Sequence, residues 1–168
     1  ARPARLFSWL THALPLALCV FAAQAQAQVV ISQVYGGGGN SGATLRNDFI
    51  ELLNKGTVAV NVGGWSVQYA SATGTTWQVT TITAGKTIAP GGYFLVQQAT
   101  GTGGTVNLPT PDEVGTIAMG GTNGKVALSN TNTALTGAVP TGGTLQDVVS
   151  YGASSATEGS PTPALSNT

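Results

Sequence analysis

The sequence has very few of the side chains on which most enzyme chemistry depends. It holds one histidine, His12, and one cysteine, Cys19, and only 7% of its residues are charged. A single cysteine cannot form a disulfide within the chain. After residue 19, a Ser-His-Asp triad, a cysteine nucleophile and a zinc site all lack necessary parts. These absences exclude the commonest catalytic centres from most of the chain, and we expect no catalytic residue, cofactor or metal site.

Charge is sparse and of mixed sign. From residue 28 onward there are four basic and six acidic side chains, which gives a net charge of −2. So weak a field does not steer a protein onto a polyanion. We therefore expect this domain alone not to bind nucleic acid.

The first 27 residues have the three parts of a secretory signal peptide. Arg2 and Arg5 form a basic start, and an apolar stretch follows, densest at residues 14–23. Small residues then alternate with glutamine, so that Ala25 and Ala27 make an A-x-A cleavage site. This pattern predicts a secreted protein that is extracellular or at the cell surface, with the periplasm as a further location.

Signal cleavage is expected between Ala27 and Gln28, with cleavage after Ala25 as the second choice. A transmembrane anchor is the first alternative, but polar residues interrupt the apolar stretch and about 20 apolar residues are needed to span a bilayer. A lipoprotein anchor at Cys19 is the second alternative, but the motif requires a small residue where this chain has Leu18. Neither alternative fits as well, and we expect no stable membrane span.

The rest of the chain has the pattern of short strands and turns. β-Branched and aromatic residues fill the gaps between Gly, Thr and Pro clusters, and no stretch keeps a 3.6-residue apolar period. The pattern predicts an all-β sandwich or barrel of about eight strands. The main predicted strands are residues 28–35, 48–53, 58–62, 65–70, 75–83, 93–98, 125–129 and 145–151.

Three turn signals accompany these strands. Pro90-Gly91 predicts a type II turn, because proline presets the second position and glycine accepts the positive φ of the third. Asn123-Gly124 predicts a β-hairpin between residues 115–119 and 125–129. Four glycines at 36–39 end the first strand and predict a flexible loop or a bulge.

An ordered set of segments runs through nearly the whole chain after the signal. The segments are VVISQVYGGGGN (29–40), DFIELLNKG (48–56), VGGWSVQY (62–69), IAPGGYFLVQ (88–97), KVALSN (125–130), DVVSYG (147–152) and ATEGSPTPALSNT (156–168). In this order and spacing they resemble the bacterial lamin tail domain. The resemblance implies an immunoglobulin-like β-sandwich over residues 28–152 and an exit segment or linker over 153–168. It further implies a non-catalytic interaction or targeting module with no catalytic residues to carry over.

The remaining carboxylates give weak signals for chemistry. Asp48 and Glu51 lie three residues apart on a predicted strand, so their side chains point to opposite faces and do not form a catalytic pair. Asp112 and Glu113 are adjacent in a predicted loop and offer a few oxygen ligands to calcium, without an EF-hand or repeat spacing. We interpret them as solvated loop residues.

Two glycine motifs resemble phosphate-binding loops without matching them. Gly85-Lys86-Thr87 lacks the glycine five residues earlier, where the chain has Thr80, and no helix pattern follows. The glycines at 36–39 lack the spacing of a dinucleotide site.

Most aromatic residues lie among valine and leucine on predicted strands and are expected to pack in the core. Trp77 is the best candidate for exposure, because its neighbours are Thr and Gln. We take Trp77 as the candidate ligand contact of the domain.

Three hypotheses for function follow. The first is a non-catalytic, extracellular binding or positioning module of a secreted bacterial protein, whose ligand is unknown. The second is the N-terminal accessory region of a secreted endonuclease/exonuclease/phosphatase-type enzyme, whose catalytic domain would follow Thr168. The third is a carbohydrate-binding or adhesin module that uses Trp77 and the loops at one end of the sandwich.

Overall fold

The structure, a computed structural model, describes residues 28–155 and 162–165, so the predicted signal peptide lies outside it. The described residues form ten β-strands and no helix. The longer strands are β1 (Val29–Tyr35), β2 (Asn47–Asn54), β4 (Ser66–Ala70), β5 (Gln78–Thr81), β7 (Tyr93–Thr100), β9 (Gly124–Ser129) and β10 (Leu145–Tyr151). The two-residue strands are β3 (Val60–Asn61), β6 (Thr87–Ile88) and β8 (Glu113–Val114).

Two four-stranded sheets face each other. Sheet 1 has the order β1-β2-β7-β8, and sheet 2 has the order β10-β9-β4-β5, while β3 and β6 pair separately. All pairs are antiparallel except β7 with β8. This arrangement confirms the prediction of an all-β, immunoglobulin-like sandwich.

The main core lies between the two sheets. Its fully buried side chains include Ile50 and Leu52 from β2, Val96 from β7, and Val126 and Leu128 from β9. In β2, every second residue is buried, as expected for a central strand that packs one face on the core. The same alternation places Asp48 on the buried face and Glu51 on the other, which confirms that the two carboxylates point apart.

β-Bulges in β1 and β10 decide which side chains of these two strands reach the core. Ser32 is an extra residue in β1, between the pairs of Ile31 and Gln33. Because of it, Ile31 and Val34 both pack on the main core although they lie three residues apart. Gln146 is the corresponding extra residue in β10.

The predicted type II turn at Pro90-Gly91 is confirmed. Gly91 has a φ of 67°, and the N–H of Gly92 donates to the carbonyl of Ala89 at 2.9 Å. The turn leads directly into β7.

The predicted hairpin at Asn123-Gly124 is wrong. Neither residue has a positive φ, which a type I′ turn requires at both positions. Gly124 is instead the buried first residue of β9, and β9 pairs with β4 and β10 rather than with residues 115–119. A Cβ at Gly124 would lie 2.7 Å from the Tyr151 hydroxyl, so the glycine is needed for close packing.

The four glycines at 36–39 form a packed turn and not an open loop. Gly36, Gly37 and Gly39 are buried. A Cβ on Gly36 would lie 2.4 Å from the carbonyl oxygen of Gly120, and one on Gly38 would lie 2.0 Å from the backbone of Asn47. The glycines therefore let three chain segments meet at one end of the sandwich.

Part of the expected exit segment contacts the domain. We name residues 162–165 the tail segment. Thr162 pairs in parallel with Tyr151 at the end of β10, and Leu165 packs against the main core. Ser155 also donates its N–H to the carbonyl of Ala72 at 3.1 Å. Contacts of the domain thus extend beyond residue 152.

Candidate binding surface

The buried carboxylate of Asp48 is a structural acceptor. It lies at the start of β2, is 4% exposed, and accepts the N–H of Gly38 at 2.8 Å and that of Met119 at 2.8 Å. Burial raises its pKa to about 6, although the two backbone hydrogen bonds act in the opposite direction. Asp48 thereby ties the glycine turn and the segment before β9 to sheet 1.

Two tyrosines complete this end of the core. The Tyr69 hydroxyl accepts the N–H of Gly120 at 2.9 Å, and the Tyr151 hydroxyl donates to the carbonyl of Gly120 at 2.7 Å. Burial is the main cause that raises the pKa of Tyr151, and the neighbouring Tyr69 and Asp48 add to it. Both hydroxyls and the Asp48 carboxylate are therefore engaged with backbone groups at this end of the core.

Asp112 and Glu113, the candidate calcium ligands, also accept hydrogen bonds from backbone N–H groups. Asp112 Oδ2 accepts the N–H of Leu95 at 2.8 Å, and Glu113 Oε2 accepts the N–H of Thr83 at 2.7 Å. Burial acts to raise the pKa of Glu113, but hydrogen bonds from Thr83 and Val114 and the charge of Lys86 outweigh it and lower the pKa. Among the described residues no group of three or more His, Cys, Asp or Glu could hold a metal ion.

The expected exposure of Trp77 is wrong. Its side chain is only 3% exposed, and its indole N–H donates to the carbonyl of Gly137 at 3.0 Å. Trp77 lies on the outer side of sheet 2 with Ala70 and Ala127, under a chain segment that includes Leu135. Ile82, in the same predicted strand 75–83, belongs to the main core. Contact of Trp77 with a ligand stays a prediction that this burial does not support.

Sequence reasoning missed Lys125, the partner of Trp77. Its side chain is fully buried, and its ammonium lies 5.4 Å from the Trp77 ring centroid. Lys125 Nζ donates to the carbonyls of Gly74 at 2.7 Å and Ala138 at 2.8 Å, and burial lowers its pKa. The signal in the sequence was a lone lysine next to the buried β9 run VALS.

Sheet 1 presents a different outer face. Residues opposite each other on antiparallel strands share a face, so the pairing places three rows across β1, β2 and β7. We call these side chains the outer face of sheet 1: Val30, Leu53 and Tyr93, then Gln33, Glu51 and Leu95, then Tyr35, Phe49 and Gln97. Tyr93 is 62% exposed, and Tyr35 stacks on Phe49 with ring centroids 5.6 Å apart. This face offers aromatic and aliphatic surface, whereas the outer side of sheet 2 is covered around Trp77.

A shallow cleft of about 470 Å³ adjoins this face at the end of β7. Its lining includes the amide side chains of Asn47 and Gln97 and the hydroxyls of Thr100 and Thr116. Asn47 Nδ2 also donates to the carbonyl of Gln98 at 3.1 Å. Amides and hydroxyls beside aromatic rings can hydrogen-bond a polar ligand while its apolar side packs on the rings.

A carboxylate bridges the two sheets at one edge. Asp147 Oδ2 accepts the N–H of Ile31 in β1 at 2.7 Å, and Oδ1 accepts the N–H of Val148 in β10 at 2.8 Å. Both strands are sheet edges, where unpaired N–H groups can recruit other chains. Asp147 satisfies one such donor on each sheet.

Of the predicted cleavage residues, only Gln28 is described. Its carbonyl accepts the N–H of Lys55 at 2.8 Å, and its Nε2 donates to the carbonyl of Val58 at 2.9 Å. Ala27 lies outside the described residues. No helix in the part of the chain that the structure describes has the length and hydropathy to cross a bilayer.

The family model of the lamin tail domain matches residues 22–153. No curated protein matches the chain.

Proposed function

The chain belongs to the lamin tail domain family, and from this premise we propose that it is a non-catalytic binding or positioning module of a secreted bacterial protein. The observation that carries the proposal is the outer face of sheet 1, with its exposed Tyr93 and stacked Tyr35 and Phe49. Exposed aromatic and aliphatic side chains on a rigid sheet supply contact area at a low entropic cost.

The use of the ionisable groups supports the non-catalytic part of the proposal. Asp48, Asp112, Glu113 and Asp147 each accept backbone N–H groups, and Lys125 donates to backbone carbonyls. A general acid or base needs access to a substrate proton. Asp48 and Lys125 are buried and have no such access, and the carboxylates of Asp112, Glu113 and Asp147 are engaged with backbone donors.

A hydrolysis assay tests the absence of catalysis. The purified protein is incubated with single- and double-stranded DNA, RNA and a nitrophenyl phosphoester, with and without divalent cations. We expect no turnover above that of a heat-denatured sample. Turnover that copurifies with the folded protein would overturn the proposal.

The cleft beside Phe49 favours a glycan as the ligand, which is the second candidate function. Amide and hydroxyl groups at Asn47, Gln97 and Thr116 suit the hydroxyls of a sugar, and the neighbouring rings suit its apolar face. We therefore propose sheet 1, and not Trp77, as the carbohydrate-binding surface.

A glycan array tests this second function with a matched pair of variants. Gln97→Ala removes an amide side chain that lines the cleft, and Gln146→Ala removes a half-buried amide on β10 in the other sheet. We expect glycan binding by the wild type and Gln146→Ala and at least a tenfold loss in Gln97→Ala. Equal binding by all three, or no binding by the wild type, contradicts the glycan hypothesis.

Two further parts of the proposal concern the parent protein. We propose that the signal peptide is cleaved between Ala27 and Gln28, which N-terminal sequencing of the exported protein would test. We also propose, as an alternative role, that the module positions a catalytic domain of the endonuclease/exonuclease/phosphatase type. Reading the gene beyond Thr168 distinguishes a following domain rich in His, Asp, Asn and Glu from a stop codon.

A further inference from the structure

The edges of the two sheets leave a groove between β1 and β10. It has a volume of about 150 Å³, and its walls include Ile31 and Val34 from β1 and Val149 and Tyr151 from β10. No charged side chain lines it. Below the groove, Asp147 closes the space between the same two strands by accepting the N–H of Ile31.

The tail segment forms one wall of this groove and pairs with the edge of β10 as a short added strand. The N–H of Thr162 donates to the carbonyl of Ser150 at 3.0 Å, and the N–H of Gly152 donates to the carbonyl of Thr162 at 2.9 Å. The Thr162 hydroxyl also donates to the Ser150 carbonyl at 3.1 Å. Three residues later, the Leu165 side chain lines the groove and contacts the main core.

We propose that the edge of β10 beside this groove is a strand-docking site for an extended peptide of a partner protein, and that the tail segment is its intramolecular occupant. The partner strand would run parallel to β10 and use the same backbone atoms of Ser150 and Gly152. This is recognition by β-strand addition, in which main-chain hydrogen bonds supply affinity and side-chain pockets supply specificity.

The contacts of the tail segment define the chemistry of that partner. The position opposite Tyr151 takes a β-branched residue with a hydroxyl, and the third residue after it takes a leucine or a similar aliphatic side chain. Proline is accepted between them, because Pro163 follows the residue whose N–H and carbonyl both face β10. The absence of charge in the lining disfavours acidic or basic side chains at these positions.

The tail segment is held lightly enough to be exchanged. It makes a single bridge to β10, and residues 162–164 are exposed, with Leu165 half-buried. Elements with few buried contacts open at low free-energy cost. A tethered segment nevertheless competes at an effective concentration on the order of millimolar, so a free peptide binds well only when the tail segment is weakened.

A peptide-binding experiment tests the proposal. The probe is a fluorescent peptide with the sequence of residues 160–168, SPTPALSNT, measured by anisotropy against the wild-type protein and its Leu165→Asp variant. The variant puts a charge into the apolar groove and should release its own tail. We expect it to bind the peptide at least tenfold more tightly than the wild type does.

A control peptide carries the Thr162→Pro and Leu165→Asp changes, which remove the N–H donor and the aliphatic side chain. We expect it not to bind, and we expect the wild-type peptide to shift the amide resonances of Ser150 and Gly152 but not that of Ala127. Failure of the folded Leu165→Asp protein to bind the peptide, or equal binding of both peptides, would overturn the proposal.

A measurement on the wild type keeps the test independent of variants. Hydrogen exchange should be at least 100-fold faster at the Gly152 amide, whose acceptor is Thr162, than at the Val126 amide in the central strand β9. Equal protection at both amides would mean that the tail segment is a fixed part of the fold and not an exchangeable occupant. The assays of glycan binding and hydrolysis do not depend on the tail segment. Failure of the peptide-binding tests can therefore be told apart from failure of the proposed function.

Discussion

Individual buried polar residues connect the strands of this sandwich to the loops that pack against them. Asp48 and Lys125 are both almost wholly buried, and neither has a partner of opposite charge within hydrogen-bond distance among the described contacts. Each uses its charge on backbone groups instead. Burial makes such groups costly to ionise, which the shifts in their pKa values express.

The raised pKa of Asp48 predicts a dependence of stability on pH. Its pKa rises from 3.8 to about 6 on folding, so between these values the native state binds the proton more readily than the unfolded state. The stabilising contribution of Asp48 to the free energy of unfolding is therefore fully present below about pH 4 and is lost as the pH rises through 6. At about 1.4 kcal/mol per pKa unit, we expect a loss of roughly 3 kcal/mol from this group.

The Asp48→Asn variant is the control for this prediction. Urea unfolding of both proteins at pH 4, 5 and 7 gives their free energies of unfolding. The stability of the wild type relative to the variant should increase as the pH falls from 7 to 4. A difference that is constant over this range contradicts the prediction.

Lys125 should prove necessary as a donor. Lys125→Met keeps the apolar stem but leaves the carbonyls of Gly74 and Ala138 without their buried donor, and we expect a loss of about 1–3 kcal/mol in the free energy of unfolding. Lys86→Met is the matched control, because Lys86 is half-buried and donates to a single carbonyl, that of Asp112. A loss in Lys125→Met no larger than in the control would show that the ammonium is dispensable.

Among the elements, β1 shows how one extra residue sets the register of a strand. Ser32 lets Ile31 and Val34 both reach the core, and it places Tyr35 opposite Phe49 on the outer face of sheet 1. Because side chains alternate along a strand, a shift by one residue moves every later side chain to the other face.

Deletion of Ser32 tests this role. It leaves Gln33 opposite Glu51 and Val34 opposite Ile50 in an unbroken alternation, so we expect a loss of only about 1 kcal/mol, from the hydrogen bond of the Ser32 hydroxyl to Glu51. Thermal unfolding followed by circular dichroism measures the loss. Deletion of Glu51, a regularly paired residue of β2, should instead turn the later core residues of that strand outward and cost about 3 kcal/mol or more, and equal losses in the two deletions would refute the role of the bulge.

The sequence was sufficient for the regular strands and for turns with a local cause. Residues 145–151 match β10 in both bounds, and Pro90-Gly91 forms the predicted turn. These features depend on alternation and on intrinsic φ preferences, which neighbouring residues report. Asn123-Gly124 shows the limit, because tertiary packing of Gly124 against Tyr151 decides its conformation and no local pattern reveals that contact.

The burial of side chains on the outer side of sheet 2 could not be predicted from the sequence either. Thr and Gln neighbours favoured an exposed Trp77, yet a segment distant in sequence covers it and Gly137 accepts its N–H. Lys125 lies beneath the same cover. A sequence pattern shows which residues alternate, but it does not show which of two faces a loop will cover.

For the whole molecule, the edge strands of the two sheets are the surfaces open to pairing with other chains. Asp147 caps one N–H donor on each sheet. Asp147→Ala would expose the donors of Ile31 and Val148, so we expect association at high concentration and a loss of about 1–3 kcal/mol in stability. Light scattering during size-exclusion chromatography measures the mass, with Gln146→Ala as the neighbouring control. A monomeric Asp147→Ala protein at millimolar concentration would show that the cap does not prevent pairing.

Burial of Lys125 also affects how the domain survives digestion. From residue 28 onward the basic residues are Arg46, Lys55, Lys86 and Lys125. Arg46 and Lys55 are exposed and Lys86 is half-buried, but trypsin-like proteases reach Lys125 only after the domain opens. The second half of the domain, from Thr87 to the tail segment, therefore offers such proteases no accessible cleavage site while it stays folded.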